Sequence, residues 1–160
     1  MSGVRRFAPV LALALASIVA GCGSSASSAT PVACLEPTSR YLTALEAAPG
    51  EVRLGGEIAI SDCFSDTQGA GDQAAVGQTV IKTATVLNAR ARRHPAGAAT
   101  VGLGYLDGAV RKGTSGAEGI YADLVRRVEA AARFSPGGGS PGAAFERAFG
   151  KGYAAGESTG

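Results

Sequence analysis

The sequence predicts an all-α fold, a small antiparallel bundle of about four helices followed by one short C-terminal helix. Three observations predict it. Ala and Arg, which favour helix, are abundant, whereas few residues favour strand. Apolar residues recur at spacings of three and four. The stretches that carry them are punctuated by Pro and Gly. A chain of 160 residues is long enough for one such domain.

The first helix is expected over 37–48. Pro37 suits a first helical turn, Tyr41, Leu42 and Leu45 form the apolar face, and Pro49-Gly50 ends it. Residues 51–60 alternate Val52, Leu54, Ile58 and Ile60 around Gly55-Gly56. That pattern reads either as a short β-hairpin or as an extended loop with its apolar side chains tucked inward.

The second helix has the clearest stripe, Val76, Val80, Thr83 and Leu87, with Asp72 as its expected cap. It should stop near Arg93, because Pro95 disfavours helical geometry at His94. A third helix follows from Ala98 to Lys112, with Val101, Leu103, Leu106 and Val110 as its apolar contacts. Gly102, Gly104 and Gly108 weaken it in isolation, which makes sense if another helix comes close there. A fourth starts near Ser115, where Glu118 completes a capping-box pattern, and directs Ile120, Tyr121, Leu124, Val125 and Val128 inward. Asp123 with Arg127 and Glu129 with Arg133 are spaced as i,i+4 pairs on its wet side. After the break from Ser135 to Gly142, a short helix at 143–153 carries Phe145, Phe149 and Tyr153 on one face. The tail, 154–160, is expected to be disordered.

The N-terminus carries the most specific motif. Arg5 and Arg6 precede an apolar run from Ala8 to Ala20, which is shorter than the roughly 20 residues needed to span a bilayer. The run ends Val19-Ala20-Gly21-Cys22. This resembles the lipobox of bacterial lipoprotein signal peptides. The resemblance implies diacylglycerol on the Cys22 thiol, cleavage before Cys22, and the extracytoplasmic face of a cell membrane. It covers about 25 residues and says nothing about the domain behind them. Arg5-Arg6-Phe7 matches a twin-arginine signal poorly, so the general secretory route is expected. The chain is also similar to small lipoproteins of actinobacteria, in the lipobox, the paired cysteines, Ile60-Ser61-Asp62-Cys63 and the Pro-Gly-Gly break after Phe134. No activity comes with that resemblance.

The organisation expected is therefore a cleaved signal peptide, 1–21; a lipidated cysteine and flexible tether, 22–31; a helical domain, 32–135; a Gly/Pro/Ser linker, 136–142; the short helix; and the tail. The tether GSSASSATP would reach about 15–18 Å root-mean-square. With Cys22 on lipid in an oxidising compartment, Cys34 and Cys63 are expected to form a disulfide. Closing a loop of about 30 residues is worth roughly 3.6 kcal/mol on the chain-entropy model. A redox or metal pair would call for a CxxC motif or a nearby His, and neither is present.

The formal net charge of +2 comes from Arg5 and Arg6; without them basic and acidic side chains number 13 each. A neutral mature chain gives no global electrostatic case for nucleic acid. Gly102 to Gly108 spaces its glycines as GxGxxxG, one residue too long for a dinucleotide loop, so no cofactor is expected. Asp62, Asp66 and Asp72 do not match a calcium loop, and the lone His94 lacks partners for a metal site. His94 and Arg90, Arg92 and Arg93 suit a solvated helix C-terminus, with contact to an anionic ligand or lipid as the functional alternative.

No catalytic motif is present. The functional expectation is a non-enzymatic binding or interaction module of the cell envelope. The alternatives are a carrier with a bundle cavity near Gly102 to Gly108, and an enzyme drawing acid and base groups from Glu57, Asp62, Asp107, Glu118 or His94. The stripe Phe145, Phe149 and Tyr153 holds three of the eight aromatics after residue 22. It reads either as core or as a docking face for a partner protein.

Overall fold

The structure, a computed structural model, describes residues 29–160. The expected signal peptide, Cys22 and most of the expected tether lie outside those residues. Among the described residues there are five α-helices: α1 (Thr38–Ala44), α2 (Ala70–Ala91), α3 (Ala98–Gly113), α4 (Ile120–Arg133) and α5 (Ala143–Thr159). Short 3-10 turns at Val32–Leu35, Leu45–Ala47 and Ile60–Cys63 join them. The domain is thus the small helical bundle that the sequence predicts. No helix among the described residues is long and apolar enough to cross a membrane.

Helix α3 is the axis of the domain. Every residue from Gly102 to Val110 is buried, and α2, α4, α5 and the turn at Ile60–Cys63 all pack on it. Consecutive helices from α2 to α5 run in alternating directions. Leu87 of α2 meets Gly102 of α3, Arg111 of α3 pairs with Glu129 of α4, and Arg133 of α4 pairs with Glu146 of α5. Helices two apart are therefore parallel, and α3 with α5 is the most intimate contact of all.

That contact is built from glycine on both sides. A Cβ on Gly104 would stand 2.9 Å from the Tyr153 nitrogen, and one on Gly108 would stand 2.8 Å from the Glu157 nitrogen. A Cβ on Gly152 or Gly156 would stand 2.9 Å from the Tyr105 or Ala109 nitrogen respectively. Glycines four apart lie on one face of each helix, so the two backbones touch along two turns. This small-residue packing is familiar from membrane helix pairs, but here it lies inside a domain with a mixed-charge surface.

The seam overturns one expectation. Residues 154–160 are not a disordered tail: α5 continues to Thr159, and Gly156 and Gly160 are buried. Ser61 Oγ donates to the Gly160 carbonyl. Helix propensity favours fraying in so glycine-rich a segment, and the tertiary contact overrides it.

Three helix starts also differ from expectation. Helix α1 begins at Thr38 and tightens into the 3-10 turn at Leu45–Ala47. Helix α2 is capped by Gly69, and Asp72 falls inside its first turn. Helix α4 begins at Ile120 because Gly119 takes φ +65°, a left-handed geometry that breaks the chain four residues after Ser115; no capping box forms. At 51–60, a single antiparallel bridge between Leu54 and Ile58 closes a tight turn through Gly55 and Gly56, both at positive φ. Val52, Leu54 and Ile60 point into the core.

Cys34 and Cys63 are disulfide-bonded, with Cα atoms 5.4 Å apart, and Tyr41 Oη donates to the Cys34 carbonyl at 2.8 Å. At the other end, the buried Asn88 of α2 donates from Nδ2 to the Ala131 carbonyl at 2.9 Å and the Phe134 carbonyl at 2.8 Å. Those donors satisfy α4 carbonyls that have no partner within their own helix.

Candidate functional site

The domain has two chemically different ends. The end where the tether enters is defined by a hydrogen-bonded chain: Gln68 Nε2 donates to Thr30 Oγ1 at 2.8 Å, and Tyr121 Oη donates to Gln68 Oε1 at 3.0 Å and to the Ser65 carbonyl at 2.8 Å. Here the start of α2 and the start of α4 meet. Asp62, Asp66 and Glu118 are exposed at this end, with Asp72 half-buried in the first turn of α2.

The opposite end gathers the C-termini of α2 and α4 and the start of α5. Arg90, Arg92, Arg93 and His94 are all exposed there. Phe134, just past α4, is 60% exposed, with the Arg92 guanidinium 6.0 Å from its ring centroid. A groove of 370 Å³ runs beside them, lined by Asn88, Arg92, Pro95, Phe134, Pro141 and Phe145 among others. Among the described residues no ion pair engages Arg90, Arg92 or Arg93.

Between the ends lies a polar cavity of 270 Å³ where α3, α4 and α5 meet, lined by Asp107, Arg111, Glu129, Arg133, Glu146 and Tyr153 among others. Arg111 pairs with Glu129 at 2.6 Å and Arg133 with Glu146 at 3.4 Å. The expected Glu129–Arg133 pair gives way to these cross-helix pairs; Asp123 does meet Arg127, and Arg126 as well. Asp107 is only 3% exposed, and its Oδ1 has no hydrogen-bond partner. Burial, reinforced by Glu129 and Glu157 and opposed by Arg111 and Arg133, pushes its carboxyl up to about 6. Across the cavity, burial and a hydrogen bond to Glu157 push the Tyr153 phenol up to about 12. A third opening, a groove of 510 Å³, separates α2 from α4, lined by Gly77, Ile81, Lys82, Leu124 and Arg127 among others. Ile120, expected inside, is 55% exposed on its rim.

The acid and base candidates do not come together. Asp107 alone is in a cavity interior; Glu57, Asp62, Glu118 and His94 are exposed, and none of them lines the Asp107 cavity. Among the described residues no cluster of His, Cys, Asp and Glu has the geometry to hold a metal ion. The space beside Gly104 and Gly108 is filled by the α5 backbone, and Leu45 and Leu87 fill that beside Gly102, so the glycines do not line a carrier cavity.

The aromatic stripe faces inward. Phe145 and Phe149 are 5% and 4% exposed and stack at 5.7 Å, with the Arg133 guanidinium 5.2 Å from the Phe149 centroid. Tyr153 is half-buried, and its hydroxyl donates to Glu157 at 2.8 Å. Of the two readings of Phe145, Phe149 and Tyr153, core describes the first two rings, which are spent on packing within the chain, while Tyr153 keeps part of its surface exposed. Among the described residues the exposed aromatic is Phe134, which periodicity could not single out because it lies one residue beyond the end of α4. The partners of Asp107 were equally hidden, since they come from three helices.

Comparison with known proteins finds no matching family model, no matching curated relative and no matching solved structure.

Proposed function

We propose that this chain is a lipid-anchored, non-enzymatic binding module of the cell envelope, held on the extracytoplasmic face through Cys22. The observation that carries the reading is Val19-Ala20-Gly21-Cys22 at the end of an apolar run headed by Arg5 and Arg6. Two features of the domain suit it. A disulfide staple persists in an oxidising compartment and would be reduced in a bacterial cytosol. The tether GSSASSATP leads into the folded part at Thr30 and Pro31, so the anchor and the domain are separable parts. Scattered carboxylates favour binding over catalysis.

Fractionation of cells fed labelled fatty acid tests the anchor. Wild type should carry label, sediment with membranes and lack residues 1–21, whereas Cys22→Ala should be unlabelled and keep its uncut N-terminal segment. Unlabelled wild type, or a Cys22→Ala variant that still carries label, contradicts the reading.

A further inference from the structure

We propose that the end of the domain opposite the tether binds an anionic glycan, through Arg90, Arg92 and Arg93 with Phe134 as an apolar platform for sugar rings. Three exposed guanidiniums stand within four residues, and none is in an ion pair among the described residues. The helix dipole favours cations at the end of α2 and accounts for one or two of them. It gives no reason for Phe134, just past the end of α4, to leave 60% of its surface in water beside Arg92. Arginine forks take up carboxylate and phosphate oxygens in pairs, and a neighbouring aromatic face accepts the apolar side of a sugar ring. The 370 Å³ groove beside Phe134 gives room for a chain rather than a single ion.

Position and charge choose a glycan over the protein's own bilayer. This step rests on Cys22 being the anchor. The nine residues between Cys22 and Val32 span at most about 32 Å when drawn straight. Helix α2, which starts beside the tether root and ends at the arginines, is about 33 Å long. Standing the domain on its basic end would exhaust the tether. The chain enters the domain at the acidic end, beside Thr30, so the attachment itself holds that end nearest the membrane. The favoured pose keeps the acidic end near the membrane and the arginines pointing outward.

The test uses the full, lipidated protein in nanodiscs of zwitterionic lipid, with fatty-acid labelling of Cys22 followed in the same preparation. Polygalacturonate should bind and neutral dextran should not, and the affinity should fall roughly tenfold or more between about 50 and about 200 mM salt. Replacing Arg90, Arg92 and Arg93 together by Gln should weaken binding by about tenfold or more. Phe134→Ala should weaken polygalacturonate several-fold and leave inorganic polyphosphate, which has no rings, unchanged. Both variants alter exposed side chains, and unchanged melting temperatures would show intact folds. Equal binding by the triple variant overturns the proposal, as does binding of polyphosphate or anionic vesicles as tight as that of polygalacturonate. A labelled protein that ignores polygalacturonate overturns the glycan site alone. An unlabelled protein overturns the anchor on which the outward direction depends.

Discussion

Asp107 places a carboxyl at the junction of three helices with one oxygen unpartnered, and that arrangement ties stability to pH. Burial is the main cause of its upward shift to about 6, against an ordinary value of 3.8. Between those two values the folded chain holds a proton that the unfolded chain has released. Stability therefore falls as pH rises from about 4 to about 6, and stays lowered above that. A shift of this size corresponds to about 3 kcal/mol. Asp107→Asn, which remains neutral, should remove this slope: the variant should match wild type near pH 4 and exceed it by up to about 3 kcal/mol near pH 7. Urea melts at a series of pH values measure this. The same slope in both proteins would mean that Asp107 ionises freely in the fold. Asp107 itself was legible as a candidate acid, but its setting was not: Glu129 and Arg133 come from α4, and Tyr153 and Glu157 from α5, positions that local spacing does not relate.

At the scale of the element, the pairing of α3 with α5 decides the shape of the domain. Gly104 and Gly152 are needed because backbone stands where a side chain would go. Gly150, also inside α5, has open space around it. The two classes should respond in opposite directions. Gly104→Ala should cost about 3 kcal/mol or more, since the clash is with backbone that cannot rotate away. Gly150→Ala should stabilise by about 0.5–1 kcal/mol, because alanine is the better helix former. Thermal melts of the two variants decide; similar effects in both would deny the seam.

The same pairing shows where sequence periodicity works and where it stops. The stripes of α2 and α3 were readable because valine and leucine recur on faces that a neighbour covers. Close approach at Gly104 and Gly108 is readable from the glycines alone, but of the matching run Gly152, Gly156 and Gly160 the last two fall in the stretch expected to be disordered. A glycine-rich segment has no helical preference of its own, and its order comes from α3. Likewise the capping box at Ser115 was overridden by Gly119, whose positive φ sets the true start of α4.

For the whole molecule, the fold sets the entry of the chain at Thr30 and the arginines at the end of α2 at opposite ends. The disulfide holds Val32–Leu35 against Ile60–Cys63 beside that entry. The same staple keeps the first described residues from peeling away from the bundle, with roughly 3.6 kcal/mol on the loop-entropy model. Asp62, Asp66 and Glu118 are exposed at one end and Arg90, Arg92 and Arg93 at the other, so a chain with no net charge after residue 21 still presents local patches of each sign. The cysteine pair was legible once Cys22 was assigned to lipid, whereas the separation of charge was not, since it depends on which helix ends meet. All of this takes its functional meaning from Cys22. The most direct measurement is the mass of the N-terminal peptide of protein extracted from native membranes. The account predicts a peptide that begins at Cys22 and carries the mass of a diacylglycerol. A peptide that begins at Met1, or one in which Cys22 is unmodified, would contradict it.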